Sequence, residues 1–241
     1  MTVKLLDQID LVDQDRTLVW EDNFLWYISP HQWTATLTDS GTVLPLTTHG
    51  GGVALTPSDG TVADNDEAYL GWTNKNIVPT NLKPIVFQTV LQFAEGNVDD
   101  VNVVAGLMST SAANALLDDG GGPPASYTGL VFFKVDGDTV WQVESSVGGT
   151  QTTTRLIATT SLDQHLKTAG GTAKQTLRIE FIPYTSTLAD VLFFIDGILV
   201  AKHQWTYTSA VAVAPVVGLK NGAATTVETL NVYTAKLKTL R

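Results

Sequence analysis

Cysteine is absent from the chain. That removes disulfides, thiolate metal sites and a cysteine nucleophile together, and it suits a protein assembled in the cytosol. Basic residues are scarce: 14 Lys and Arg against 24 Asp and Glu leave a formal net charge of −10. Neutralising a phosphate backbone needs clustered cations. The only gathering is Lys220, Lys236, Lys238 and Arg241 near the C-terminus, so no nucleic-acid partner is expected. The acidity reads as a solubility device. No apolar run approaches the roughly 20 residues of a membrane span, and the N-terminal MTVKLLDQID lacks the apolar core of a signal peptide. The expectation is a soluble protein made in the cytoplasm, with no membrane contact. A convincing long amphipathic helix is missing too, which points towards strands.

What is present supports that reading. Low charge (16%), many Val and Thr, and 44% hydrophobic residues describe a chain able to fill a β core. From Ile85 to Phe93, apolar Ile85, Phe87, Leu91 and Phe93 alternate with Val86, Gln88, Val90 and Gln92, with Thr89 on the apolar side. This spacing is that of a half-buried strand. Gln175 to Ile182 repeats it, with Leu177, Ile179 and Phe181 inward and Arg178 and Glu180 outward. Val101–Met108, Gly129–Val135, Ala68–Trp72 and Pro215–Leu219 read as further strands, and Thr225–Leu240 as a closing one. Asp163–Lys167 allows one helical turn, and Trp33 to Gly52 reads as an irregular Thr/Ser/Gly-rich stretch. Many short strands with regular turn signals predict an antiparallel sandwich. The breaker cluster DDGGGPP, between Ser109 and Ser126, is expected to be a long surface loop inside one domain.

The strongest local signal is Asp190–His203, DVLFFIDGILVAKH, in which two apolar runs flank Asp196-Gly197. Such a dipeptide favours a type I′ hairpin turn. The implied register sets Ile195 against Ile198, Phe194 against Leu199, Phe193 against Val200 and Leu192 against Ala201. Apolar residues then fall on both faces, as in a hairpin covered on two sides. Asp136-Gly137 is a second hairpin signal. Residues 1–19 read as an arm, with Val3, Leu5, Leu6, Ile9 and Leu11 interleaved among aspartates, and residues 20–241 as a single sandwich domain.

The order of segments carries a resemblance. GGVALT at Gly51, FQTVLQF at Phe87, AGLM at Ala105, GLVFFK at Gly129, LRIEF at Leu177, VLFFIDGILV at Val191 and TLNVY at Thr229 follow one another. Together they resemble the concanavalin A-like lectin/glucanase superfamily with its laminin-G-like modules, which implies a two-sheet jelly roll. The closing segment from Leu219 to Leu230 is similar to that of lectin-like domains among tailed-phage virion proteins. This implies a non-enzymatic structural protein on the capsid surface, decorating the shell and bound to the major capsid protein or another virion protein. Self-association, as a trimer, goes with it through Val3, Leu5, Leu6, Ile9 and Leu11. The alternative is a carbohydrate-binding module directed at host glycans, with Trp72, Trp141 and Trp205 as candidates for stacking on a sugar. The remaining tryptophans are assigned to core or interface.

A hydrolytic reading finds no pattern to rest on. Laminarinase-type members of the superfamily carry E-x-D-x-x-E on one strand, and no such motif occurs here. Glu144 and Glu180 stand singly on their strands and are expected to face solvent. Asp64-Asn65-Asp66-Glu67 has the oxygen ligands of a Ca²⁺ loop but equally the composition of an ordinary turn. The turn is the preferred reading there, as it is for Asp13-Gln14-Asp15 and Asp136-Gly137-Asp138. His31, His49, His165 and His203 lack metal-binding spacing and are expected at the surface or an interface. No G-x-S-x-G occurs, and Gly50–Gly52 and Gly120–Gly122 lack the context of a phosphate cradle. No catalytic, metal or cofactor site is assigned.

Overall fold

Period-two alternation with turn residues between runs leaves the chain little choice but strands. The computed structural model describes residues 17–240, apart from 28, 30, 48–50, 59, 60, 65, 75, 80–82, 97–99, 158–167, 208, 209 and 223–225. In chain order the strands begin with β1 (Thr17–Asp22), β2 (Trp33–Leu37), β3 (Ser40–Pro45), β4 (Val53–Ser58) and β5 (Glu67–Trp72). They continue with β6 (Ile85–Phe93), β7 (Val101–Met108), β8 (Gly129–Lys134), β9 (Gln142–Val147) and β10 (Thr150–Arg155). The last are β11 (Gln175–Pro183), β12 (Leu188–Ile195), β13 (Ile198–Thr206), β14 (Ala214–Asn221) and β15 (Leu230–Leu240).

These build two antiparallel sheets, the expected all-β sandwich. The eight-stranded sheet runs β13-β12-β11-β6-β15-β4-β3, with β1 also paired to β15. The seven-stranded sheet runs β10-β9-β8-β7-β14-β5-β2. Phe87, Leu91, Ile179, Phe181 and Phe193 of the first sheet meet Val103, Ala105, Phe132, Val143 and Val217 of the second in one buried core. The alternation expected in β6 is realised residue by residue, with Ile85, Phe87, Thr89, Leu91 and Phe93 buried. Thr89 fits there because its hydroxyl donates to the Thr234 carbonyl at 2.8 Å.

The Asp196-Gly197 turn is where the sequence placed it. Both residues have positive φ, 49° and 82°, as a type I′ turn requires. Ile195 faces Ile198 and Phe194 faces Leu199 as expected, but a bulge then intervenes. Phe193 faces Ala201 and Leu192 faces Lys202, leaving Val200 as the extra residue. One inserted residue exchanges the two faces of everything beyond it. Here it turns His203 and Trp205 into the core and Lys202 and Gln204 outward. The hairpin is also not central: β13 is the outermost strand of its sheet, and Ile198 and Leu199 are exposed.

Four other expectations change. The stretch from Ser109 to Ser126 is not a surface spacer, because Ala115 and Leu116 are buried against Tyr69, Val104, Met108, Val131, Phe133 and Val216. Asp136-Gly137 lies in a connection from Val135 to Trp141 that is too long for a two-residue hairpin. The segment between Trp33 and Gly52 contains β2 and β3, whose Thr-rich, half-polar pattern suits sheet edges. At the N-terminus, Thr17–Val19 belong to β1 rather than to an arm, since Thr17 pairs with Leu240. Val3, Leu5, Leu6, Ile9 and Leu11 lie outside the described residues, as do His49 and His165 and the possible helical turn Asp163–Lys167.

Candidate functional site

The outward face of the seven-stranded sheet is built in two halves. Over β5, β7, β8 and β14 the segment 109–128 lies down on the sheet, and the residues beneath it are small or apolar. The Lys220 and Glu67 side chains caught there are paired. Lys220, opposite Glu67 and Asn102 in the ladders, is fully buried and donates to Asn114 Oδ1 at 2.9 Å and to the Asp118 carboxylate. The Glu67 carboxylate, 4.0 Å from the ammonium, accepts the Asn114 N–H at 2.9 Å. Burial, and next the Glu67 charge, push the Tyr69 phenol well above its usual range. These groups hold the segment down.

The other half, over β9 and β10, is polar. Glu144 does not face solvent as the sequence suggested. It is buried and accepts from Tyr127 Oη at 2.9 Å, from Gln151 Nε2 at 2.8 Å and from the Thr153 hydroxyl. Burial and then the Glu144 charge raise the Tyr127 phenol well above its ordinary value. Beside them Arg155 grips Asp138 with two bonds of 2.6 and 2.7 Å. The Arg155 hydrogen bond, more than any other contact, holds the Asp138 carboxyl below its usual value. Glu180 is also buried, not solvent-facing, on the opposite sheet, where Arg178 Nη2 lies 3.1 Å from it. Glu144 and Glu180 therefore project from outward faces on opposite sides of the sandwich. A retaining glycosidase needs two carboxyl groups about 5–5.5 Å apart, and these two do not form that pair.

His203, expected at the surface, is buried where β13 meets β9 and β10. The Ser145 hydroxyl is 3.0 Å from Nδ1 and the Thr154 hydroxyl 3.0 Å from Nε2, with the Phe193 ring 5.1 Å away. Burial lowers its pKa. Both ring nitrogens are occupied by hydroxyls and Ser145 is itself buried, so the arrangement is a clasp between sheet edges. Among the described residues no group of three or more His, Asp or Glu is arranged to hold a metal ion. Asp66 and Glu67 of the acidic run are both buried, and Asp66 Oδ2 accepts the Ala63 N–H at 2.8 Å, which is turn chemistry.

The tryptophans divide differently from the sequence expectation. Trp141 is fully buried, donating to Gln175 Oε1 at 3.1 Å and packed on Phe93 and Phe132, so it offers no face to a sugar. Trp205 is buried against Phe181 and Tyr207 and is likewise unavailable. Trp72 is partly buried, with the Trp20 ring 3.8 Å away edge-on and Trp33 beyond it. Trp26, which the sequence did not single out, is 89% exposed and Leu25 beside it 55%.

The turn carrying them is built residue by residue. Asp22 Oδ1 accepts the Phe24 N–H at 2.7 Å and Oδ2 the Trp33 indole N–H at 2.8 Å. Asn23 Oδ1 accepts the Leu25 N–H at 3.2 Å, and its carbonyl accepts the Gly52 N–H at 2.8 Å. Phe24 takes φ of 58°, and its buried ring, 5.4 Å from that of Trp33, anchors the turn. Positive φ at a bulky residue is a cost that the surroundings must over-determine. The consequence is that Leu25 and Trp26 point into solvent from a fixed base. The D-x-F-L-W pattern at Asp22 is the sequence signal that was available: a capping carboxylate two residues before an apolar run at a strand end.

No protein-family model and no curated protein matches the chain. Solved structures do. The metal-free carbohydrate recognition domain of Emp46p is 15% identical, over 89% of this chain and 93% of that one, with a TM-score of 0.56. An endo-1,3-β-glucanase from Streptomyces sioyaensis is 14% identical over 94% and 97%, with a TM-score of 0.62. Peanut lectin is 12% identical over 93% and 98%, with a TM-score of 0.55. At such identities the likeness is one of fold: this chain is a concanavalin A-like jelly roll.

Proposed function

We propose that the protein is a non-catalytic, lectin-like recognition module that binds carbohydrate, with Trp26 as its aromatic contact. The observation that carries this reading is a single indole held 89% exposed on a turn fixed by Asp22, Asn23 and Phe24. An indole offers an apolar face and a polar edge, which suits a sugar ring with one apolar face and hydroxyls around it. Preorganisation of the turn lowers the ordering cost of binding. The absence of catalysis is supported by the carboxylates of the outward faces, which are committed to structural partners. Screening the full-length protein on a glycan array tests the reading. Binding that Trp26→Ala abolishes, in a variant that melts like the parent, is expected. Binding that survives the substitution, or no binding across the array, would overturn it.

A second reading has its own observation. Leu25 and Leu44 are 55% and 60% exposed; Leu25, next to Trp26, lies against Gly51 just before β4, and Leu44 pairs with Ala54 near the start of that strand. Aliphatic neighbours beside an aromatic suit a protein surface. This favours the virion role, a self-associating capsid-decorating protein that contacts the shell. Co-sedimentation with undecorated particles is its test, and retention that Trp26→Ala leaves intact counts against this surface as the contact.

A further inference from the structure

Lys220 carries a primary amine into a site shielded from water. Its side chain is 0% exposed, and that of Glu67, its ladder partner on β5, is 4%. Oxygens from one short stretch of the covering segment surround the ammonium. Asn114 Oδ1 accepts from Nζ at 2.9 Å and the Leu116 carbonyl at 3.4 Å, and the Asp118 carboxylate makes the closest contact. Asn114 is itself fixed in place. Its N–H is shared between the two Glu67 oxygens at 3.1 and 2.9 Å, and its φ of 60° is one that Asn tolerates. The next turn of the segment is tied down as well, since Tyr69 Oη accepts the Leu116 N–H at 3.3 Å.

Carboxylates alone would satisfy the charge of the ammonium. The side-chain amide of Asn114 adds an electrophilic carbon to the same site. Its Cγ lies one C=O length, about 1.2 Å, from Oδ1, so Nζ stands no more than about 4 Å from that carbon. Reacting atoms in a near-attack arrangement are about 3–3.5 Å apart, a small side-chain rotation away. An amine, a carboxylate in contact with it and an acyl carbon within reach are the parts of a nucleophilic acyl transfer.

We propose that Lys220 and Asn114 join in an intramolecular isopeptide bond, with Asp118 as the base. The ion pair is the state that precedes reaction. Asp118 takes a proton from the ammonium and leaves a neutral amine, a form that burial favours over an isolated charge. The Nζ lone pair attacks Asn114 Cγ, and a C–N bond forms. The Cγ–Nδ2 bond then breaks. One of the protons of the Lys220 ammonium stays on the new amide nitrogen, and the others leave with Nδ2 as ammonium, so Asp118 ends as the carboxylate it began as. The Asp118 side chain is 51% exposed, which gives the leaving group a way out. The bond ties the segment between β7 and β8 to β14 across 106 residues of chain. It braces a protein without cysteine much as a disulfide would, by restricting the unfolded chain. The reaction does not depend on the recognition role of Trp26.

Mass spectrometry of the full-length protein, aged in its folded state and then denatured, is the test. An intact mass short of the sequence by one ammonia is expected, with a branched tryptic peptide joining Asn114 to an uncleaved Lys220. Lys220→Arg and Asn114→Ala should each restore the full mass. Asp118→Ala should slow bond formation about 100-fold or more, followed as the linked fraction against time. Linkage as fast as in the parent would remove Asp118 as the base. The parent protein decides the bond itself, whether or not the variants fold. Full sequence mass after ageing would overturn the proposal. Loss of water with the branch at Asp118 would overturn it too, because the aspartate would then be the acyl group. Loss of ammonia without a branch would do the same, marking a succinimide at Asn221-Gly222.

Discussion

Asp196 and Thr176 are joined twice: the Asp196 N–H donates to the Thr176 carbonyl at 2.8 Å, and Asp196 Oδ1 accepts the Thr176 N–H at 2.8 Å. The side chain that tolerates positive φ at the tip of the β12–β13 hairpin thus also completes the ladder with β11. One residue serves turn geometry and strand pairing together. Gly197 beside it has open space where a Cβ would be, so only its φ of 82° constrains it. Gly197→Val should cost about 1–3 kcal/mol through backbone strain alone. Asp196→Asn, which keeps an acceptor and tolerates the same φ, should cost far less than Asp196→Ala. Urea unfolding of the three variants checks this, and a neutral Gly197→Val would contradict the turn.

Lys220 holds the segment 109–128 onto the sheet from beneath. Lys220→Met should destabilise by about 3 kcal/mol or more, because Glu67 is then left buried with no cation opposite. Adding Glu67→Gln should recover part of that loss, since the remaining group is neutral. If the double variant is no more stable than the single one, the ion pair is not what anchors the segment.

The two most different tryptophans should respond oppositely. Trp141→Ala empties a packed site between Phe93 and Phe132 and should cost about 3–5 kcal/mol. Trp26→Ala removes a ring that touches mainly water and should change stability by no more than about 0.5 kcal/mol. Denaturant midpoints measured side by side decide it. A large stability loss at Trp26 would mean the indole is covered in solution.

His203 couples stability to pH. Burial depresses its pKa in the folded state, so the unfolded chain binds the proton more readily. Stability is therefore full above the unfolded value, near 6.5, and falls as pH drops from there towards the lower folded value. Melting temperatures between pH 8 and pH 5 should decline, and His203→Gln should flatten that decline within the window. A slope unaffected by the substitution would place its origin elsewhere.

Much of the architecture is written locally. Alternation over nine residues in β6 is a property of those nine residues, and so is the positive φ invited by Asp196-Gly197. Both survive in the fold because nothing distant needs to be known to form them. The resemblance carried by the ordered segments was sufficient for a concanavalin A-like sandwich, since it follows the order of strands.

Tertiary structure decided the rest. Val200 becomes a bulge because Ala201, His203 and Trp205 must face inward once β13 pairs with β12 on a buried sheet. Alternation read from the turn sends them outward. Glu144 is buried because Tyr127, Gln151 and Thr153 come to it from two other segments, none of them adjacent to it in sequence. Likewise six tryptophans look alike as letters, and only the stacking of two sheets makes Trp141 core and leaves Trp26 in water. Backbone preference acts over a few residues and is legible in the chain. Burial of a particular side chain depends on which surfaces meet, and that is fixed only when the two sheets pack.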